Sequence, residues 1–319
     1  MRVEESKHAI LAEATDFVYN RFDVLFKDSF SFLQCIAEDG AIHVIPLHVE
    51  GHEARLGLWL SPVPEDAATA AVEYVFRTCR RISVVRYQHY SVPLLVKGRG
   101  GSVEKQNHWC IMLPATEADL DSRLSAKKRY NINREKRIAA EQIAHYEIFE
   151  HPAETVPEQI VECYFQYKAT THGIDYHMTP REYLRCYHVT HVYVLRFTDT
   201  SEIGAILFSC EQGVNAYLEN LTFNPAREKY SLGTILYDEY LRKLVRKGKR
   251  SLYLGHGHQI YKTHYGAQEN ATWNGCIYRT RLQCLLFHTT PAWCREILWR
   301  AKCFMKRTVH LLQVNPQST

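Results

Sequence analysis

From Ala216 to Ala267 the chain reads AYLENLTFNPAREKYSLGTILYDEYLRKLVRKGKRSLYLGHGHQIYKTHYGA. Leu218, Asn220 and Thr222 alternate with Tyr217, Glu219, Leu221 and Phe223, which predicts a strand with Glu219 on the same side as Tyr217 and Leu221. Pro225 and the polar run Ala226-Arg227-Glu228-Lys229 break that strand, and Ser231 stands where it caps a helix whose first turn holds Leu232, Gly233 and Thr234. Ile235, Leu236, Tyr240, Leu241 and Leu244 then recur at helical spacing, and Arg246, Lys247, Lys249 and Arg250 load the exit, where cations suit the helix dipole. Ser251 to Leu254 is a short apolar strand, so the unit is strand, helix, strand. Free backbone N–H groups at the helix start, a small Gly233 and the basic Arg227 and Lys229 ahead of it make an anion site suited to a pyrophosphate. The same letters also describe a plain solvated basic turn, so the local pattern leaves both open.

Two further matches narrow the choice. The loop from Arg227 to Gly233 resembles a relaxed form of the coenzyme A loop of the GNAT acyltransferase superfamily, with wider spacing than the common Arg/Gln-x-x-Gly-x-Gly/Ala. Gly255-His256-Gly257, Tyr261-Lys262 and Tyr265-Gly266 follow the next strand in an order similar to the cellulose-biosynthesis-type branch of that superfamily. Leu124-Ser125, Arg129-Tyr130-Asn131-Ile132 and Arg134 resemble the same branch's Leu-Ser-x-x-x-Arg-x-x-Ile-x-Arg signature. The resemblance implies an α/β fold of α+β type. It consists of two GNAT-like halves, each a mixed, mostly antiparallel sheet flanked by helices, packed across a cleft. The expected division is a degenerate half over 1–115, the acyltransferase domain over 116–280 and a basic amphipathic helical extension over 281–319.

Composition sets limits on other classes. The 319 residues are 46% hydrophobic, enough for one large or two ordinary cores. Thirty-nine Lys and Arg against 35 Asp and Glu give a net charge of +4, too mild to imply nucleic acid by itself. Ten cysteines include no Cys-x-x-Cys pair and sit mostly in apolar patterns, which predicts buried thiols of a reducing compartment. His43, His48, His52 and His89 are scattered at strand spacing and give no metal set. The N-terminal stretch carries Glu4 and Glu5 without a long apolar core, and no run approaches a membrane span, so a cytoplasmic protein is expected.

Elsewhere the pattern predicts hairpins from Phe30 to Leu60 and a helix from Glu65 to Arg81 with Ala70, Ala71, Tyr74, Val75 and Cys79 on one face. Strands are expected at Ser83–Tyr90 and His108–Leu113 around a flexible Gly98-Arg99-Gly100-Gly101. Asp119 to Gln142 reads as one strongly basic helix. A strand at His145–Phe149 and a helix from Pro157 stopping near Gly173 follow, then a helix opened by Thr179-Pro180-Arg181-Glu182. Strands at Val192–Phe197 and Ile203–Cys210 lead into the quoted stretch, and Ala271–Tyr278 is the last strand. Phe287 to Leu312 reads as a basic amphipathic helix, suited to packing on a protein face or to a peripheral contact with an anionic membrane.

Acyl transfer needs a deprotonated acceptor, a polarised thioester carbonyl and a proton for the leaving thiolate. The resemblance implies that backbone N–H groups around Leu221 to Phe223 polarise the carbonyl. With Arg227, Lys229, Ser231, Leu232, Gly233 and Thr234, these residues form the expected site for acetyl-CoA or another acyl-CoA. Glu219 is the candidate base, although a strand glutamate also serves as an ion-pair partner; His256 and His258 are alternatives. Tyr261 is the candidate acid, with Tyr265 second, and Lys262 suits a phosphate or an acidic group. By the resemblance, Ser125, Arg129, Asn131 and Arg134 line the cleft, and His172, Asp175 and His177 lie over the acceptor. The implied acceptor is an amine or hydroxyl, and the branch's association with exopolysaccharide implies a sugar-linked one. Two other functions fit the same letters. One is a Fem-type transferase with an aminoacyl-tRNA donor, whose tRNA would meet the basic helix Lys127 to Arg137; the other is a GNAT scaffold that binds without catalysis.

Overall fold

The computed structural model describes residues 1–6, 29–59, 63–255 and 263–286. Of these, 1–6, 30–105 and 273–286 form one compact unit, and Ser29 with 106–272 forms the other.

The first unit is a sheet covered by a helix. β1 (Arg2–Ser6), β2 (Phe30–Ile36), β3 (Ile42–Glu50) and β4 (Glu53–Leu56) pair antiparallel in sequence order, each the neighbour of the next. Helix α1 (Glu65–Thr78) carries the chain over to β5 (Val84–Tyr90), which lies parallel to β4, the geometry a helical crossover produces. The helix buries Ala67, Ala68, Ala71, Val72, Val75 and Phe76. This face is rotated from the expected one through Ala70 and Tyr74, because three alanines let the helix backbone sit close on Leu33, Ile45, Leu47 and Leu56. Arg99 is fixed rather than flexible. Its guanidinium binds both carboxylate oxygens of Glu73 and the carbonyl of Arg279 at 2.8 Å, and it lies 4.6 Å from the centre of the Phe76 ring.

β6 (Gly100–Met112) starts in the first unit and continues in the second from Gln106. The single basic helix expected from Asp119 is two, α2 (Glu117–Arg123) and α3 (Ala126–Gln142). Leu124 takes an extended conformation with its side chain buried, and the Ser125 hydroxyl accepts from the Lys128 N–H, so Ser125 is the cap of α3. There follow β7 (Tyr146–Pro152), α4 (Glu158–His172), α5 (Pro180–Cys186), β8 (His191–Phe197), β9 (Ile203–Gln212) and β10 (Asn215–Phe223). Gly173 ends α4 at φ 65°, and Thr179 with Glu182 forms a complete capping box on α5, both as the sequence predicts. A 3-10 turn (Pro225–Tyr230), α6 (Leu232–Arg246), β11 (Ser251–Tyr253) and β12 (Gln268–Tyr278) complete the run, and α7 (Arg281–Cys284) is a single capped turn.

In the second unit the strand order is β6-β11-β10-β9-β8-β7, antiparallel except between β10 and β11. One face holds α3 and α6, where Ile235, Leu236, Tyr240, Leu241 and Leu244 pack on Tyr193, Leu195, Leu207 and Leu218. Each fully buried leucine or isoleucine there contributes about 1.5–3 kcal/mol. The other face holds α4 and α5, with Ile160, Val161, Tyr164, Tyr183 and Leu184 over Val192, Val194, Ile206 and Phe208. From Trp273 onward β12 belongs to the first unit, where it pairs antiparallel with β5. Each unit is thus a mixed, mostly antiparallel sheet, covered by α1 in the first unit and flanked by helices on both faces in the second. The eight described cysteines are all free, and burial pushes the Cys35 and Cys110 thiols up to about 11.

Candidate active site

The parallel pair β10–β11 is short. Asn215, Ala216 and Tyr217 face Ser251, Leu252 and Tyr253, and there the two strands part. β11 continues along β6, with the Leu254 N–H on the Trp109 carbonyl at 2.8 Å and the Trp109 N–H on Gly255 at 3.2 Å. β10 instead stays with β9 as far as the Phe223–Ala205 pair. Among the described residues no strand pairs with the outer edge of β10 from Asn220 to Phe223.

A bulge sits where the strands divide. Leu218 pairs with Ser209 and Asn220 with Phe208, so Glu219 is the extra residue. This corrects the expected alternation. Beyond the bulge Leu221 and Phe223 share the α6 face with Leu218, whereas Asn220 and Thr222 share the α4–α5 face with Tyr217; Glu219 itself is partly exposed. Asn220 donates to the Tyr183 hydroxyl at 3.0 Å, and Tyr183 donates to Tyr164 at 2.9 Å. The Tyr164 hydroxyl in turn lies 3.1 Å from that of Tyr176, in the loop between α4 and α5.

The edge of β10 leads to the start of α6. Asn224 holds the turn through its side-chain oxygen, which accepts from the Ala226 N–H at 3.0 Å, and its amide donates to Glu202 at 2.7 Å. Glu202 also binds Arg227 with both oxygens, at 3.1 and 2.9 Å, and this carboxylate holds the guanidinium firmly charged. Lys229 is exposed, its ammonium 4.8 Å from the Tyr230 ring centre. Ser231 occupies the cap position at φ 53°, but its hydroxyl caps no helical N–H. The Thr234 and Ile235 N–H groups bond the Ser231 carbonyl, which leaves those of Leu232 and Gly233 with no acceptor inside the helix. Gly233 is buried, and a Cβ added there would lie 3.5 Å from the Phe223 ring.

One side chain here was not singled out by sequence. Glu135 of α3 has one carboxylate oxygen fully buried and lies beside Ser231, Lys128 and Arg134. Burial raises its pKa, while Ser231 and the two cations lower it in part. A carboxyl therefore already stands at the positive end of α6. Nothing in the sequence signals this, because it depends on how α3 packs against α6.

A second charged group braces the same helix. Asp238 is fully buried on α6 and accepts from Lys136 at 2.7 Å, Arg242 at 2.9 Å and Tyr265 at 2.6 Å. Lys136 also meets Glu239, and Arg242 reaches Asp121 at 2.6 Å. Although burial alone would raise it, the cations hold the Asp238 pKa below its ordinary value. Tyr265 is buried, and its pKa is pushed up by burial and the Asp238 charge, so its hydroxyl is a committed donor.

Of the expected contact residues, Arg129 bonds the Asp121 carbonyl at 2.8 Å, and Arg134 is exposed on α3. His172, Asp175 and His177 are exposed around Gly173. His256, His258, Tyr261 and Lys262 lie outside the described residues, as does the helix expected from Phe287 to Leu312. Glu150, His191 and Glu211 bring ligand atoms within 4.8 Å of one another. The Lys247 ammonium stands among them, bound to Glu150, to Glu211 at 3.0 Å and to the Tyr193 hydroxyl at 2.7 Å.

Comparison with known proteins places this edge strand and helix start within a recognised domain and fold. Residues 126–263 match the acetyltransferase (GNAT) domain family. Among solved structures the chain is similar to FemX at 7% identity, with a TM-score of 0.63 over 90% of this chain and 100% of that one. It is similar to L-PGS from Bacillus licheniformis at 12% identity, with a TM-score of 0.54 over 83% and 87%. It is also similar to the C-terminal domain of a putative lysylphosphatidylglycerol synthetase from Agrobacterium fabrum at 13% identity, with a TM-score of 0.52 over 81% and 90%. At these identities the likeness is one of fold. No curated protein matches the chain in sequence. No helix of the described residues is long and apolar enough to cross a membrane.

Proposed function

We propose that the chain transfers an acyl group from a coenzyme A thioester to an amine or hydroxyl. The observation that carries this is the parting of β10 from β11 directly before the start of α6. A strand edge that no described strand covers offers N–H and C=O groups to the amides of a pantetheine arm, and the N–H groups of Leu232 and Gly233 suit the pyrophosphate at its far end. The thioester carbonyl then lies against the β10 backbone at Leu221 to Phe223, where N–H donors stabilise the developing oxyanion. The acceptor nitrogen or oxygen attacks the carbonyl carbon, Glu219 at the bulge takes its proton, and the C–S bond breaks. The thiolate leaves with a proton from Tyr261, with His256 as the alternative base. The loop of His172, Asp175 and His177, with Arg129 and Arg134 of α3 and Lys262, is assigned to the acceptor. The finer resemblance to the cellulose-biosynthesis-type branch supports a sugar-linked acceptor and a cytoplasmic setting.

Glu135 favours one alternative. A carboxyl at the start of α6, with Arg227 spent on Glu202, is a poor reception for a pyrophosphate, and it suits a Fem-type aminoacyl-tRNA donor that places no pyrophosphate there. Lys127, Tyr130, Arg134 and Arg137 are exposed along α3 at helical spacing and would meet that polyanion. Calorimetric titration with acetyl-CoA and free CoA, at low and moderate salt, separates the two donors. Saturable micromolar binding is expected. No binding, with charged-tRNA affinity falling steeply as salt rises, would transfer the assignment to the tRNA donor.

A further inference from the structure

The sheet face opposite α6 carries a cation that the transfer chemistry leaves unused. Lys168 lies on the sheet-facing side of α4, one turn beyond Tyr164, and is only 9% exposed. Its ammonium stands 5.9 Å from the centre of the Tyr164 ring. Burial alone pulls its pKa down, with no carboxylate of the described residues close enough to oppose that. The ammonium is not among the buried atoms sealed from water, so an incoming anion can reach it, whereas the half-buried cations Lys136 and Arg242 of this unit are each bound to a carboxylate.

Its position relates it to the splayed strand. The Tyr164 ring packs edge-on against Phe208 at 4.6 Å, and Phe208 is the ladder partner of Asn220. Tyr167 donates to the Ile203 carbonyl at 2.7 Å, at the start of β9, and α4 also packs against the turn Pro225–Tyr230. The Lys168 end of α4 therefore lies toward the Thr222 half of β10, the half whose edge no described strand covers. His172 follows one turn later on α4, and Tyr176 from the same loop stacks on Phe165 at 4.7 Å and reaches the Tyr164 hydroxyl.

We propose that Lys168 is the anion-holding group of the acceptor site, so that the acceptor carries a carboxylate or phosphate that pairs with this ammonium, with His172 at the rim. This rests on the assignment of the α4–α5 loop to the acceptor. A planar aromatic wall beside an ammonium with no carboxylate partner fits an oxyanion attached to a flat or ring-shaped body, with the acyl-accepting amine or hydroxyl directed toward β10.

The test is calorimetric titration of the full chain with succinate and, separately, with inorganic phosphate, in wild type, Lys168→Met and Lys168→Arg, with acetyl-CoA affinity measured on each. Binding of at least one oxyanion in wild type, weakened tenfold or more in Lys168→Met and largely retained in Lys168→Arg, is expected, with acetyl-CoA affinity unchanged within twofold. The stronger of the two ligands identifies the acceptor's acid. Oxyanion affinity equal in wild type and Lys168→Met, or no saturable binding of either anion to wild type, overturns the proposal. Acetyl-CoA that fails to bind wild type while an oxyanion binds through Lys168 refutes the coenzyme A donor and leaves the anion site standing. Methionine matches the lysine stem in volume, so a melting temperature equal to or above wild type shows that the variant folds.

Discussion

Replacing Asp238 by Asn removes one charge from the centre of α6, together with the oxygen that accepts from both Lys136 and Arg242. The amide keeps an acceptor for Tyr265, Lys136 retains Glu239, and Arg242 retains Asp121 and Glu117. Breaking a buried ion pair by removing one partner costs about 3–5 kcal/mol, and since both cations keep a second carboxylate the lower figure, about 3 kcal/mol, applies. For a domain of this size each kcal/mol moves the melting temperature by roughly 2–4 °C, so a fall of about 6–12 °C is expected. Glu239→Gln is the control. Its side chain is 28% exposed and Lys136 keeps Asp238, so the loss there is below about 1 kcal/mol. The pH dependence has a fixed sign. The folded-state pKa of Asp238 lies below its ordinary value, so its stabilisation is full above that ordinary value and disappears as pH falls through the folded one. Wild type should therefore lose its advantage over Asp238→Asn on acidification. Thermal and urea unfolding at neutral and acidic pH measure both effects. An Asp238→Asn loss under 1 kcal/mol, or one no larger than that of Glu239→Gln, would refute the claim that this network braces the helix.

Three further outcomes concern other parts of the molecule. At Gly275 an added Cβ would meet ring atoms of Tyr87 at 2.3 to 2.4 Å, and Tyr87 is buried with its hydroxyl bonded to the Leu94 N–H. Gly275→Ala should cost about 1–3 kcal/mol in urea unfolding, and an unchanged midpoint would contradict the packing described. Glu135→Gln should tighten CoA binding about tenfold, on the order of 1.4 kcal/mol, by removing like charge from the α6 start. Wild-type affinity should weaken as pH rises through the raised Glu135 pKa while the variant stays flat; equal affinities at all pH values would place the pyrophosphate elsewhere. Glu219→Gln should lower turnover without weakening CoA binding, and full activity at neutral pH would remove Glu219 from the mechanism.

What the letters disclose is what depends on near neighbours. The apolar stripe Ile235, Leu236, Tyr240, Leu241 and Leu244, the stop at Gly173 and the capping box at Thr179 are local, and the structure keeps all three. The bulge at Glu219 is not legible, because strict alternation continues through it in the sequence and only the partner strand reveals the extra residue. The break at Leu124 and Ser125 was hidden inside a continuous basic run, though Ser125 carried a capping signal that could have divided it. Asp238 was also within reach, since an acid among Ile235, Leu236 and Leu241 on a buried stripe implies a buried cation partner. Glu135 and Lys168 were not, as their burial is set by helices and strands far away in the chain. The Glu202 clamp on Arg227 likewise joins residues that no short window contains.

The row of hydroxyls under α4 has a polarity. An amide nitrogen can only give a hydrogen, so Asn220 makes the Tyr183 oxygen an acceptor, and the Tyr183 proton is then spent on Tyr164. Tyr164, already accepting from Tyr183, has its own proton left to give, and the Tyr176 oxygen lies 3.1 Å away to take it. The orientation of one amide on β10 is thereby linked, three side chains away, to the hydroxyl at the loop tip: with every proton passed the same way, Tyr176 keeps its hydrogen to give.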